Sequence, residues 1–186
     1  MKNPFESLEK SLGIGVVVLI LIMAAGLGSP DAITWTLYLH VISGVMWIGI
    51  LWYFNFVQIP SMPKIPDEQK PAISKVIAPT ALFWFRWAAL ATVVTGLTVA
   101  HINTYLVESL TFQSNKVIGL GMWMALLMAF NVWFIIWPNQ QKALGLVEAA
   151  PDAKKAAARL AMLTSRFNTM LSVPMLFCMV GARYIG

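Results

Sequence analysis

The sequence predicts an all-α fold: an integral membrane bundle of five transmembrane helices, N-terminus cytoplasmic, forming one domain over residues 1–186. Three observations carry that expectation. Hydrophobic residues make up 59% of the chain against 11% charged, with eight Trp and a mean hydropathy of +0.72, a balance outside the range of soluble globular domains. Five apolar runs, residues 12–28, 33–57, 80–102, 117–137 and 161–182, are each long enough to cross about 30 Å of hydrocarbon with some tilt. The basic residues between the runs are distributed unevenly across the two sides that such a topology creates.

The first run has the outline of a cleavable signal peptide, with Lys10 before an apolar core and small Ala24-Ala25-Gly26 after it. The next run follows within a few residues, which favours an uncleaved first helix. Ser29-Pro30-Asp31 separates the two, with Ser29 placed to cap and Pro30 at a first helical position where its missing N–H is harmless. Residues 59–79 carry Pro60, Pro63, Pro66, Pro71 and Pro79 among Lys64, Asp67, Glu68, Lys70 and Lys75, a composition expected to end the helix and form a surface loop. In the other long connection, 138–160, Asp152 is placed to cap an Ala-rich helix leading into the fifth run. The chain shows no internal repeat and no low-complexity tract.

Charge then sets orientation. Lys2, Lys10, Lys64, Lys70, Lys75, Lys142, Lys154, Lys155 and Arg159 fall on one side, whereas the other holds only Lys116 and Arg183 near helix ends. The positive-inside rule places the N-terminus in the cytoplasm and the C-terminus outside. The net charge of +5 therefore reports membrane orientation and does not indicate nucleic-acid binding. The lone Cys178 excludes a disulfide framework, a zinc site or covalent haem attachment built from this chain alone. No carboxylate lies within any apolar run, which argues against a cation-coupled transporter or proton pump.

His40 is the residue in this pattern that most needs an explanation. A titratable ring inside an apolar helix must find a partner, because an unsatisfied polar group costs several kcal/mol in a water-free interior. By the topology above, His40 and His101, the two histidines of the chain, lie toward the same outer face on antiparallel neighbouring helices. That is the arrangement axial ligation of a b-type haem requires, one imidazole on each face of the ring. Ser43 and Gly44 leave little bulk on the His40 face, and Trp47 follows at i+7 to line the same pocket. The bland reading is a hydrogen bond from His40 to a neighbouring helix, small-residue packing at Gly44, and an interfacial His101.

Arg86, in Phe83-Trp-Phe-Arg-Trp87, is expected about one and a half turns into the third span. It either snorkels among those aromatic rings or pairs with an anion, an anionic substrate or a haem propionate being the candidates. Asn131 in the fourth span and Arg166, Asn168 and Ser172 in the fifth exceed what anchoring needs, and Pro174 frees the carbonyl of Met170. Hydrogen bonding across helices is the expected role of the two asparagines.

Several separated strings together resemble the membrane domain of PuuD-type bacterial urate oxidases: Leu39-His40-Val-Ile-Ser-Gly-Val-Met-Trp-Ile-Gly49, Trp84-Phe-Arg-Trp87 with Thr95-Gly96, Asn131-Val-Trp-Phe-Ile-Ile-Trp-Pro-Asn-Gln140, and Ser165-Arg-Phe-Asn-Thr-Met-Leu-Ser-Val-Pro-Met-Leu-Phe177. The resemblance implies a helical membrane domain that oxidises urate and passes electrons to a cytochrome c on the outer side. It places His40, Arg86, Asn131, Pro138, Asn139, Arg166, Asn168 and Pro174 at motif positions, and leaves His101 outside them. Full-length members carry more spans and a C-terminal cytochrome c domain with Cys-x-x-Cys-His, which these 186 residues do not contain. A looser resemblance links the His-bearing second span to HemJ-type protoporphyrinogen oxidases, which bind haem b.

The expectation is a multi-pass protein of the bacterial inner membrane, holding haem b through His40 and His101 and working in electron transfer or oxidation. Its electron partner would be a separate polypeptide such as a cytochrome c, and the sequence leaves open whether a homodimer replaces the missing spans. The opposing reading is a non-catalytic accessory subunit of a larger membrane complex. The sequence assigns no catalytic residue.

Overall fold

The computed structural model describes residues 3–26 and 30–185, and every regular element among them is helical. Gly28, Ser29 with its expected capping role, and Lys2 lie outside the described residues. The chain divides into two units, Met1–Trp35 and Thr36–Gly186.

In the first unit, Ser7 caps α1 (Leu8–Ala24) by accepting from the Lys10 N–H. Asp31 caps the start of the next helix, its carboxylate accepting from the Thr34 N–H at 2.8 Å and the Thr34 hydroxyl at 2.7 Å. Pro30 is therefore one residue outside the helix and not its first residue. The two Thr34 bonds hold the Asp31 carboxyl below its ordinary value. A depressed folded-state value means the cap contributes at neutral pH and is lost as pH falls through that value.

The second unit is an antiparallel bundle of α2 (Ala32–Lys64, entering from the first unit), α3 (Lys70–Ile102), α5 (Lys116–Ala143) and α6 (Pro151–Ile185), with the single-turn α4 (Leu106–Leu110) between α3 and α5. α2, α3 and α5 are long and apolar enough to cross a membrane by length and composition. α2 and α5 run from what we call the upper end to the lower, α3 and α6 the reverse. Cross-helix contacts fix this sense: His40 meets Thr92, Phe54 meets Phe85, Trp52 meets Ser172, and Asn131 meets Asn168. The core is filled by Trp47, Leu51, Phe85, Met128, Val132 and Ile136. Gly121 brings α5 onto α6 closely enough that a Cβ there would lie 2.9 Å from the Cβ of Cys178.

The proline-rich loop expected over 59–79 is largely helix. α2 continues through Pro60 to Lys64 and α3 starts at Lys70, so the connection is residues 65–69 alone. The reason is a repeated backbone device. α2, α3 and α5 each contain a π-helical segment, Tyr53–Gln58, Ile73–Ile77 and Asn131–Ile136, in which hydrogen bonds reach back five residues. Each ends two residues before a proline, and the intervening cap residue donates back five positions: Ile59 N–H bonds to Phe54 O ahead of Pro60, Ala78 to Ile73 ahead of Pro79, and Trp137 to Val132 ahead of Pro138. The extra residue in the turn shifts the carbonyl that the proline ring would strike, so the helix passes the proline without breaking. All three devices lie in the lower half. α6 is likewise one continuous helix of 35 residues, with Asp152 inside its first turn and not at its cap; Ala150 occupies that place, its carbonyl accepting from Lys154. At the other end of that connection Gly145, at φ 74°, closes α5 in the left-handed conformation.

Candidate functional site

In the upper half the four long helices part around a cavity of about 590 Å³, within the range of cofactor and small-molecule pockets. Its wall is overwhelmingly apolar, and the few polar groups on it include His40, Trp47, Thr92 and Tyr105. Tyr105 stands just past the end of α3, where burial pushes its phenol up, so it remains a protonated donor.

His40 is anchored from one side. Its Nδ1 lies 2.9 Å from the Thr92 carbonyl and 3.3 Å from the Thr95 hydroxyl. The Thr95 hydroxyl already donates to Ala91 O at 2.6 Å. A carbonyl can only accept, so Nδ1 carries the proton and donates to Thr92 O, and Nε2 keeps its lone pair. Nε2 has no hydrogen-bond partner among the described residues. The ring lies flush on α3 because position 96 is glycine: a Cβ there would fall 2.7 Å from the ring Cε1. An Nδ1–H held by a backbone carbonyl, with Nε2 free, is the orientation of a metal-ligating histidine. Trp47, another residue of the cavity wall, is fully buried, and its indole N–H has no partner.

The sequence-expected site residues separate into groups. His40, Gly44 and Trp47 line the cavity. Ser43 is half-buried and off it. His101 is exposed near the end of α3, roughly 140° around that helix from Gly96, so the structure does not bring the two histidines together. Arg86 is also away from the cavity: with α3 beginning at Lys70, it stands at the midpoint of the helix and not near its start. Among the described residues no three His, Cys, Asp or Glu side chains cluster as a metal site.

Below the cavity a buried polar seam ties α6 to its neighbours. Ser165, Asn168 and Ser172, at i, i+3 and i+7, share one buried face of α6. Asn131 donates to Asn168 Oδ1 at 2.8 Å, and Asn168 donates to the Met128 carbonyl at 2.9 Å. Trp52 donates to Ser172 at 2.9 Å, and Asn55 to Ser165 at 2.8 Å. Both asparagines thus bond across helices as expected, whereas Arg166 points out of the bundle and is exposed. Sequence reading missed Trp52, Asn55 and Ser165; the serine spacing on α6 is the signal that could have found the seam. Thr92 was not findable in that way, because it contributes a backbone carbonyl that any residue would supply.

A comparison with family models places this arrangement. Residues 102–185 match the urate oxidase N-terminal family. The match covers α4, α5 and α6, and with them the Asn131, Asn139, Arg166, Asn168 and Pro174 positions. The urate oxidase similarity established in this way does not extend to His40, His101 or Arg86, all of which precede residue 102. No curated protein and no solved structure matches the chain.

Proposed function

We propose that this chain is a membrane-embedded haem b protein serving electron transfer or oxidation, with five spans, a cytoplasmic N-terminus and the cavity toward the outer face of an inner membrane. The observation that carries the reading is the state of His40: Nδ1–H tied to Thr92 O, Nε2 unpartnered, at the wall of a roomy apolar cavity. His40 would hold the iron, and Gly96 lets its ring seat against α3. His101 is off the cavity, and the thioethers of Met122 on α5 and Met175 on α6, which line the wall, would be the other candidate ligands. Bound there, the haem supplies one-electron chemistry. The protein's part is to fix the His40 tautomer, exclude water with an apolar wall, and present the unpaired Trp47 N–H as a hydrogen-bond donor. Similarity to the urate oxidase N-terminal family makes urate the first substrate to try, with a separate cytochrome c as acceptor.

The test is an absorption spectrum of protein purified in neutral detergent. A Soret band is expected, lost in His40→Ala and retained in His101→Ala. A colourless, monodisperse wild-type protein sinks the haem reading and leaves the accessory-subunit role. Urate-dependent reduction of the chromophore tests the substrate, and its absence restricts the protein to electron relay.

A further inference from the structure

The lower half holds a cationic cluster that the haem reading does not use. The guanidinium carbon of Arg86 lies 3.4 Å from the ring centroid of Trp137 and 6.0 Å from that of Trp133, both on α5. Trp87 packs edge-on against Trp133 at 5.4 Å between centroids, holding that indole in place. Stacking on ring faces offsets part of the charge. It leaves the in-plane N–H groups of the guanidinium unpaired. Arg86 Nε and Nη1 are buried without a hydrogen-bond partner, and so is the Nε1 of Trp133. No carboxylate compensates: the ion pair found among the described residues is Lys70–Asp67, in the lower connection. Three buried donors and a full positive charge thus belong to one aromatic cluster that supplies them no acceptor. A buried polar group left in that state costs about 1–3 kcal/mol, more for a charge, so an acceptor from outside the chain would be stabilised there.

Depth indicates its chemistry. With the upper edge of a hydrocarbon layer roughly 30 Å thick set at the Ile102 end of the apolar run 80–102, Arg86, about 24 Å along α3 from Ile102, lies about one helical turn inside the lower edge. That is the level at which phosphate groups become available, and Lys64, Lys70, Lys75 and Lys142 at the lower ends of α2, α3 and α5 raise the local concentration of anions. We propose that Arg86, Trp133 and Trp137 form a binding site for a phosphate-type oxyanion, separate from the His40 cavity. Arg86 and the Trp133 N–H donate to its oxygens, and Trp137 holds the guanidinium plane. The oxyanion is either the phosphate of an anionic phospholipid from the adjoining leaflet or a free phosphate from solution.

Calorimetry on the full-length, delipidated protein in a maltoside detergent tests this in two arms, one titrated with inorganic phosphate and the other with phosphatidylglycerol in mixed micelles. Saturable binding in the first arm identifies a soluble anion, in the second alone a lipid headgroup, and either supports the site. Arg86→Gln is expected to abolish it, and Trp133→Phe, which keeps the ring and removes the N–H, to weaken it about tenfold. Absence of saturable binding in both arms, or binding unchanged in Arg86→Gln, overturns the proposal. Should Arg86→Gln not fold, Trp133→Phe decides, and wild-type affinity in it overturns the site. The chromophore of the same sample, read by absorbance, reports on His40 independently.

Discussion

The two halves of the bundle solve the problem of polar groups in an apolar interior in opposite ways. The upper half has few polar side chains and a void of about 590 Å³ beside the most consequential of them. The lower half is richer in polar side chains, and its α6 seam closes on itself: Asn131, Asn168 and Met128 O form one chain of bonds, and Asn55 and Ser165 another. Bonds made between helices rigidify, whereas a ring with one nitrogen committed and the other free, beside empty volume, is prepared for a guest. Volume next to an incompletely used donor or acceptor, and not the number of polar residues, therefore separates a binding region from a structural one. Arg86 and Trp133 are the exceptions that sharpen the rule, their buried N–H donors not being absorbed by the seam, and the Asn55 and Gln58 side-chain oxygens are likewise unpartnered.

The largest effect that tests this division is expected at Gly96. Gly96→Ala puts a Cβ 2.7 Å from His40 Cε1, which must swing the ring or separate α2 from α3. Overpacking of that kind costs about 1–3 kcal/mol, equivalent to a roughly tenfold to hundredfold loss of cofactor affinity at a ligand position, measured by haem titration. Gly44→Ala, on the same cavity wall, is the comparison: its Cβ would meet Thr92 Cγ2 at 3.8 Å, an ordinary contact that leaves the His40 ring in place, and the loss of binding should be the smaller. Equal losses in the two variants would mean that the His40 seat is not specific.

In the lower half the corresponding change is Asn168→Leu. It strands the Asn131 amide and the Met128 carbonyl, both facing a fully buried position, and should lower stability by about 1–3 kcal/mol, measured as a fall in thermal unfolding midpoint with the absorption spectrum unchanged. Ser172→Ala removes the acceptor for Trp52 and a local donation to the Thr169 carbonyl, and the interhelical bond of this kind averages near 0.6 kcal/mol in a membrane. A spectral change in Asn168→Leu would join the two halves into one site and break the comparison.

Much of this division was legible in the residues. Apolar run length fixed the upper ends of α2, α3 and α5 to within one residue and missed their lower ends by six to ten, and an isolated histidine in an apolar helix marked the cavity wall. Asn131 and Asn168 announced their partnership because amides in apolar helices must pair. What stayed hidden has physical causes. The acceptor for His40 is a main-chain carbonyl, and the cavity it lines depends on how four helices splay, which no single helix encodes. His101 was paired with His40 by depth alone. Its azimuth on α3 takes it elsewhere, because two residues at matching height share a site only if both faces turn inward. The lower prolines misled for the complementary reason: proline ends a regular α-helix, but nothing in composition says that the preceding turn has been widened.

That widened turn supplies the smallest expected effect and the one most contrary to ordinary rules. A proline in a helix interior costs about 3 kcal/mol, through a lost N–H bond and a clash with the carbonyl four residues back. If the π segment Asn131–Ile136 already routes the Trp137 N–H to Val132 O, the clash at Pro138 has been relieved before the ring arrives. Pro138→Ala should then shift stability by less than about 0.5 kcal/mol, as a neutral surface substitution does. Pro174 in α6 has no assigned π segment before it, and there Pro→Ala should stabilise by more, read as a rise in unfolding midpoint. A large gain at Pro138, or equal gains at both, would show that the lower-half prolines strain their helices, and that the π segments are a consequence of the strain and not its relief.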